Sequence, residues 1–293
     1  MARIGYLGLG NIGKGICGNL IKKGHEAAVY DIIEAKTKAF EGRAAILARN
    51  EREVFENSDI IFLSLPNSDI VEAVAHIGLE AGMSGKTIVD TSTSYPVSTK
   101  ELYRKVKEAG GAFVDAPLMA GPAEAEAGTL DIVVGGDRED FDRLGDLFKC
   151  YCRSYKYVGK IGNGHLAKLA INFCGLSQAL MFAMVFPVME QHGLKPDELF
   201  DILNNESLSN WVFHFYSKKY VARQYPLDFA LELGTKDLAY MKKLCEDVHV
   251  PGFLLDGALD LCRTSLAEQK PGEVLDFSYP CKTVYDLADT HKA

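Results

Sequence analysis

The sequence predicts an α/β fold class, in which a doubly wound parallel sheet is followed by an all-α C-terminal domain and joined to it by a long buried helix. The first observation is an alternation of short apolar strands with helical segments, typical of parallel βαβ units with right-handed crossovers. Strand signals then nearly vanish after Gly162, and the segment from Leu166 to Met189 is almost wholly apolar. We therefore predict two domains, residues 1–161 and 162–293.

The elements of the first half follow from apolar runs and from the Gly, Pro, Asn and Asp residues that separate them. We expect strands at 2–7, 26–31, 44–47, 59–64, 87–90, 112–115, 131–136 and 155–158, with helices at 11–23, 33–41, 67–77, 96–109 and 138–149. Because this alternation stops near residue 160, we place the domain boundary there.

A glycine-rich turn connects the first strand to the first helix. The first glycine of a G-x-G-x-x-G turn permits the tight bend, the second lets the backbone approach a pyrophosphate, and the third allows close packing of helix on strand. The N–H groups of the helix start then face the anion. This placement predicts a Rossmann-type dinucleotide site. Its cofactor-binding residues are Gly8, Leu9, Gly10, Asn11, Ile12 and Gly13.

The choice of cofactor depends on Asp31, the residue that ends the second predicted strand. An acid at this point accepts hydrogen bonds from a ribose 2′-OH and repels a 2′-phosphate. The residues that follow are Ile32 and Ile33, and the next arginine is Arg43. The sequence therefore favours NAD over NADP as the cofactor.

Charge and cysteine content argue against several classes of function. A net charge of −8 disfavours nucleic acid and anionic membranes as partners, since both bind a basic surface. The seven cysteines are odd in number and scattered, which fits a reducing cytoplasm. Cys150 and Cys152 lack a second pair at ligand spacing, so we predict no metal site. The chain starts directly with a strand, which leaves no room for a signal peptide. We expect a cytoplasmic protein.

The apolar segment from Leu166 to Met189 is long enough to cross a membrane. It is isolated, however, contains several polar residues and Pro187, and has no basic flank on one side. A helix that is apolar all round in a soluble protein is buried on every side. We therefore expect it to run through the domain junction and to pack against a second subunit, which predicts a homodimer or homotetramer and no membrane partner.

Lys168 is the one charged residue of that segment. A lysine near the start of a helix is usually a solvated charge, but here its neighbours are apolar and Asn172 lies one turn on, over the same face. Burying a lone ammonium is costly, so such a lysine is either paired or has a lowered pKa. A lysine tuned toward neutrality suits proton transfer beside a nicotinamide. From these residues alone, both interpretations of Lys168 remain open.

Four stretches follow one another over essentially the whole chain: the turn at 8–13, D-A-P-L-M-A-G at 115–121, G-x-G-x-x-x-K-x-x-x-N at 162–172, and K-D-L at 236–238. Together they resemble the β-hydroxyacid dehydrogenase family, which includes 3-hydroxyisobutyrate dehydrogenase and tartronate semialdehyde reductase. The resemblance implies that Lys168 is the catalytic acid/base and that Asn172 holds it or the substrate. It also implies cofactor contacts from Leu65, Pro66, Thr93 and Lys236.

The substrate loop departs from the family pattern D-x-P-V-S-G-G, because Met119 stands where the family has serine. A thioether offers no hydroxyl, whereas the N–H groups of Ala120 and Gly121 remain as donors to an acid group, with Ser92 or Thr93 assisting. Neutral drift and a different substrate both explain Met119. We favour a different substrate, such as a larger or differently shaped acid or a sulfonate.

The resemblance implies that the protein interconverts a small β-hydroxy acid and its semialdehyde. One alternative is a semialdehyde reductase of the glyoxylate, succinic semialdehyde or sulfolactaldehyde type, working mainly in reduction. Another is a non-catalytic NAD-binding scaffold, against which the intact Lys168 and Asn172 argue. The role of His165, near Lys168, stays open: it either contacts the site, caps the helix or simply packs. Asp237 is expected to pair with its neighbour Lys236.

Overall fold

The computed structural model describes residues 2–119 and 121–290, without the side chain of Thr290. The chain forms two compact units, Met1–Lys168 and Leu169–Ala293. The division into 1–161 and 162–293 stays a prediction. Ala120 of the substrate loop lies outside the described residues.

The first unit is built on a parallel sheet. Its strands are β1 (Arg3–Leu7), β2 (Glu26–Tyr30), β3 (Ile46–Leu47), β4 (Ile60–Leu63), β5 (Thr87–Asp90) and β6 (Ala112–Asp115). Among the described residues, these six strands pair in the order β3-β2-β1-β4-β5-β6, and each neighbouring pair is parallel. This is the doubly wound order, in which the carboxyl ends of β1 and β4 meet at the point where the strand order reverses. The predicted fold class is confirmed.

Helices α1 to α7 complete this unit, together with a smaller sheet of β7, β8 and β9. The helices are α1 (Asn11–Lys22), α2 (Glu34–Lys38), α3 (Glu51–Glu56), α4 (Ser68–Ala81), α5 (Pro96–Glu108), α6 (Pro122–Ala127) and α7 (Arg138–Phe148). The strands are β7 (Leu118–Met119), β8 (Leu130–Val134) and β9 (Cys152–Tyr157), with β7 antiparallel and β9 parallel to β8. The sequence pattern does not predict α3, α6 and β7, because elements of two to six residues are too short to show a hydrophobic period.

Both faces of the parallel sheet are buried. Ile60 and Phe62 of β4 enter one apolar core, whereas Ile61 and Leu63 enter another on the opposite face. Successive side chains of a strand point to opposite faces, so a strand covered on both sides is apolar at every position. This is why β4 reads as an unbroken apolar run in the sequence.

The later part of the chain is helical, as predicted. Its helices are α8 (Asn163–Gln191), α9 (Pro196–Leu203), α10 (Trp211–Ala222), α11 (Leu231–Asp247), α12 (Phe253–Leu266) and α13 (Pro280–Thr290). The second unit has its own apolar core, which contains buried aromatic rings from α8, α10 and the segment before α13. The described residues of this unit add an isolated β-bridge between Ala230 and Asp276.

Helix α8 carries the apolar segment without a break at Pro187. Within the single chain, Leu176, Ala183 and Phe186 are buried, whereas a set of apolar side chains on the helix stays exposed: Ile171, Met181, Met184 and Val188. Of the helices in 2–119 and 121–290, α8 alone is long and apolar enough to cross a membrane, a property that buried core helices share. Packing against a second subunit and the absence of a membrane partner therefore stay predictions.

Candidate active site

The glycine turn lies at the carboxyl end of β1, and its three glycines have different surroundings. Gly8 has φ +92°, and a Cβ there would lie 2.2 Å from the carbonyl oxygen of Ser64. A Cβ on Gly13 would lie 2.0 Å from the carbonyl oxygen of Gly8, whereas a Cβ on Gly10 would meet no atom of residues 2–119 and 121–290 within 4 Å. The fold itself therefore requires the first and third glycines, while the second faces open space.

That open space lies at the start of α1. Gly10 is the N-cap residue in an extended conformation, and no side chain among the described residues caps the helix. The N–H groups of a first helical turn have no intrahelical acceptor and carry a partial positive charge. The uncapped turn and the space above Gly10 thus fit the pyrophosphate of a dinucleotide.

Asp31 lies beside this turn and is only 8% exposed. Its carboxylate accepts hydrogen bonds from the N–H groups of Leu9 at 2.8 Å and Ile33 at 2.8 Å. Lys36 Nζ lies 3.7 Å from Asp31 Oδ2, and Thr37 Oγ1 accepts the Asp31 N–H at 2.9 Å. The carboxylate therefore holds the turn against the end of β2. It keeps lone pairs for a ribose hydroxyl, since each carboxylate oxygen accepts two hydrogen bonds.

The loops after β4 and β5 carry three more of the residues expected at the cofactor: Leu65, Pro66 and Thr93. The Leu65 N–H donates to Ser92 Oγ at 2.9 Å, and the hydroxyls of Ser64 and Thr91 are 2.7 Å apart. Ser92 is buried, Leu65 and Thr93 are half-buried, and Pro66 is exposed. The Ser92 hydroxyl thus ties the two loops together, a role that no local sequence pattern indicated.

The substrate loop begins at β7, where Met119 is half-buried and pairs with Asp131 of β8. The Gly121 N–H, expected to hold the acid group of the substrate, donates to Glu124 Oε2 at 3.0 Å. Gly121 is the N-cap of α6 and Glu124 is its third residue, a capping-box spacing that the sequence analysis did not use. A substrate acid would have to displace this carboxylate to reach the Gly121 N–H.

Lys168 lies in the second turn of α8 and is half-buried. Asn172 follows four residues later on the same helix, a spacing that places two side chains on one face. Asn172 Nδ2 donates to Asp237 Oδ2 at 2.6 Å. Lys236 Nζ lies 3.1 Å from Asp237 Oδ1. Asp237, buried in α11, therefore holds both Asn172 and Lys236 within the second unit. Pairing with Lys236 was expected, but the bond to Asn172 was not.

Each unit thus assembles its own part of the candidate site. The first unit brings the glycine turn, Asp31 and the loops after β4 and β5 to the carboxyl edge of its sheet, and the second unit joins Asn172, Asp237 and Lys236. Within 2–119 and 121–290, no group of three or more His, Cys, Asp or Glu side chains is arranged to hold a metal ion. The absence of a metal and the cytoplasmic location stay predictions.

Two family models match the chain in succession. Residues 3–159 match the NAD binding domain of 6-phosphogluconate dehydrogenase. Residues 162–282 match the model described as NAD-binding of NADP-dependent 3-hydroxyisobutyrate dehydrogenase. The two matches together span most of both units, and the first contains the glycine turn and Asp31.

Individual proteins extend this similarity. The chain is 32% identical to the 2-(hydroxymethyl)glutarate dehydrogenase of Eubacterium barkeri, over 85% of this chain and 84% of that protein. It is 32% identical to the 2-hydroxy-3-oxopropionate reductase of Escherichia coli, over 80% of this chain and 82% of that one. The fold matches a solved Mycobacterium tuberculosis 3-hydroxyisobutyrate dehydrogenase with L-serine, with a TM-score of 0.87 at 24% identity over 97% of this chain and 99% of that one. The chain therefore belongs to the β-hydroxyacid dehydrogenase family and is an oxidoreductase with a nicotinamide cofactor.

Proposed function

We propose that the protein interconverts a small β-hydroxy acid and its semialdehyde with NAD, and that Lys168 is the acid/base. The observation that carries the proposal is the position of Lys168 on α8, half-buried and one turn before Asn172, whose amide is held by the buried Asp237. The name of the E. barkeri relative, a dehydrogenase of a hydroxymethyl dicarboxylic acid, supports this substrate class.

In the proposed reaction, Lys168 and Asn172 have different roles. A bound nicotinamide supplies hydride transfer. In oxidation, the neutral amine of Lys168 accepts the hydroxyl proton of the substrate at Nζ, and in reduction the ammonium returns a proton to the same oxygen. The Asn172 amide has a carbonyl oxygen and a second N–H beyond its bond to Asp237, so it can hold the lysine or the substrate in a set direction.

A second candidate function is that of a semialdehyde reductase, working mainly in reduction. The name of the E. coli relative, a reductase, favours this candidate. We would measure absorbance of the reduced nicotinamide with NAD and NADP against a panel of β-hydroxy acids and a sulfonate analogue, and against their semialdehydes in reverse. Turnover of one panel member with NAD supports the proposed function. Tight NAD binding without turnover of any member would favour the non-catalytic scaffold.

The preference for NAD can be tested at the end of β2. An Asp31→Asn/Ile32→Arg variant is expected to raise kcat/KM for NADP relative to NAD about tenfold or more, equivalent to about 1.4 kcal/mol. The change removes a charge that repels a 2′-phosphate and adds a guanidinium, which binds phosphate in a bidentate way. Ile32 is 86% exposed, so arginine there should not disturb the core.

The matched control for this pair is Ile33→Arg, which adds the same charge one residue later at a position that is also exposed. Lys36→Met tests the cation that lies beside Asp31. If the double variant keeps the wild-type ratio of NADP to NAD, Asp31 does not determine the preference, and the proposed ribose contact is wrong.

We also propose that the protein is a homodimer or homotetramer. Exposed apolar side chains on α8, among them Ile171, Met184 and Val188, support this because such groups are usually covered. Sedimentation equilibrium is expected to give two or four times the mass of 32.2 kDa. A clean monomer across the concentrations used in the assays would contradict the proposal.

A further inference from the structure

A fully buried group of ionisable side chains lies under the carboxyl edge of the sheet, in the first unit. Asp90 and Asp115 end the neighbouring strands β5 and β6 and are register partners. The imidazole of His165 faces both carboxylates, with Nε2 3.6 Å from Asp90 Oδ2 and Nδ1 3.8 Å from Asp115 Oδ2. All three side chains are 0% exposed, and none of them has a part in the mechanism above.

Asp115 caps the start of α8. Its Oδ1 accepts the Gly162 N–H at 2.9 Å, and its Oδ2 accepts the His165 N–H at 2.7 Å. A Cβ on Gly164 would lie 2.8 Å from Oδ2, so only glycine lets the helix start approach so closely. Burial raises the pKa of the Asp115 carboxyl, while His165 and the two N–H donors act in the opposite direction. The helix that carries Lys168 therefore begins at a position set by β6.

Asp90 organises the loop that follows β5. Its Oδ1 accepts the Ser92 N–H and its Oδ2 accepts the Ser94 hydroxyl, both at 2.9 Å. Ser92 Oγ in turn accepts the Leu65 N–H from the loop after β4. The two loops proposed to line the cofactor are thus connected to the same carboxylate that His165 faces.

The proton positions on His165 follow from its neighbours. Thr99 Oγ1 lies 2.8 Å from Nδ1, and the same hydroxyl donates to the Tyr95 carbonyl at 3.2 Å. Which atom of the Thr99–His165 pair donates depends on the tautomer of the ring. Nε2 has no hydrogen-bond partner in the described part of the chain and faces the Asp90 carboxylate. The carboxylate would repel a lone pair at Nε2, which favours the tautomer with its N–H on this nitrogen.

We propose that His165 is a positioning residue, which fixes the start of α8, and with it Lys168, against the loop at 91–94 through Asp115 and Asp90. This rests on the proposed function of Lys168. A buried cluster of ionisable side chains is a costly way to hold a helix compared with apolar packing. Its hydrogen bonds are directional, however, and fix the position of the helix more closely. This matters because displacing a catalytic group by 1 Å can lower the rate about 100-fold.

The test compares His165→Leu, which removes both ring nitrogens, with His165→Gln, which can still present an N–H toward Asp90. We would measure kcat and KM with the best panel substrate, the Kd of NAD, and the rate at which an amine-reactive acylating reagent labels Lys168, by mass spectrometry. Exposed Lys195 on the second unit is the internal reference for labelling. Val54→Ala, in the core of the first unit, is a control that loses stability through packing alone.

In His165→Leu we expect kcat to fall about 10-fold to 100-fold and the labelling rate of Lys168 relative to Lys195 to change. The Kd of NAD reports whether the loop at 91–94 moves as well. His165→Gln should recover most of the loss, and Val54→Ala should show neither effect. If His165→Leu does not fold, Asp90→Asn and Thr99→Val replace it, since both keep side-chain volume. They are expected to change kcat and the labelling rate of Lys168 in the same way but to a smaller extent.

An unchanged labelling rate in the folded variants would overturn the positioning role whatever happens to kcat. Equal changes in Val54→Ala would also overturn it, because a general loss of stability would then explain them. Altered labelling with wild-type kcat would instead support the positioning role and contradict the acid/base function of Lys168. The two proposals therefore fail in different ways.

Discussion

A Lys168→Ala variant is expected to turn over at least about 100-fold more slowly than wild type while binding NAD with the same Kd. Alanine removes the one amine proposed to exchange a proton with the substrate hydroxyl, and general acid–base catalysis typically contributes a factor of that size or more. NAD affinity should persist, because the glycine turn and Asp31 lie on other elements. The measurement is absorbance of the reduced nicotinamide with the best panel substrate, alongside a fluorescence titration with NAD.

Two further variants separate this role from loss of structure. Lys168→Met keeps the length of the side chain without the amine and should be as slow as Lys168→Ala. Lys195→Ala, an exposed lysine of the second unit, should be as active as wild type. Added primary amines are expected to restore part of the turnover of Lys168→Ala by supplying the missing base. Near-normal turnover in Lys168→Ala would remove Lys168 from catalysis.

A Gly10→Val variant is expected to bind NAD about 100-fold more weakly, a loss of about 2.7 kcal/mol, with an unchanged Tm. The backbone at this residue, φ −64° and ψ −172°, is one that valine adopts without strain. A Cβ there meets no atom of the described part of the chain within 4 Å, so the added methyl groups should occupy only the space left for the pyrophosphate. Calorimetric titration with NAD and thermal unfolding followed by circular dichroism give the two quantities.

Gly13→Ala is the informative contrast to Gly10→Val. Its Cβ would lie 2.0 Å from the carbonyl oxygen of Gly8, so the expected effect is a lower Tm in addition to any loss of NAD binding. Gly257→Ala, at a helical position where a Cβ meets no described atom within 4 Å, should lower neither the Tm nor the affinity for NAD. Wild-type NAD affinity in Gly10→Val would place the cofactor elsewhere on the protein.

The fold and the glycine turn were predictable because their signals are local. A strand, a glycine turn and a helix follow one another between Arg3 and Lys22, so the geometry of the turn is contained in about twenty consecutive residues. Apolar runs predicted the buried strands, and the change in pattern after Gly162 predicted the helices. The spacing of Lys168 and Asn172 on one helix was equally local.

The contacts that hold these residues in place were not visible in the sequence. Asn172 and Asp237 are 65 residues apart, and Asp115 and His165 are 50 apart. Which of the many polar residues meet depends on strand order and on the docking of one helix against another. Neither the strand order nor the docking of the helices can be predicted from a window of ten or twenty residues.

His165 illustrates the difference most clearly. In the sequence it is one polar residue before an apolar run, as compatible with capping or packing as with a role at the site. In the fold, the parallel pairing of β5 and β6 brings Asp90 and Asp115 side by side and encloses the imidazole between them. Local patterns were therefore enough to predict the glycine turn and to make Lys168 a candidate. The surroundings that orient them arise only when distant segments pack, because burial and directed hydrogen bonds belong to the assembled core.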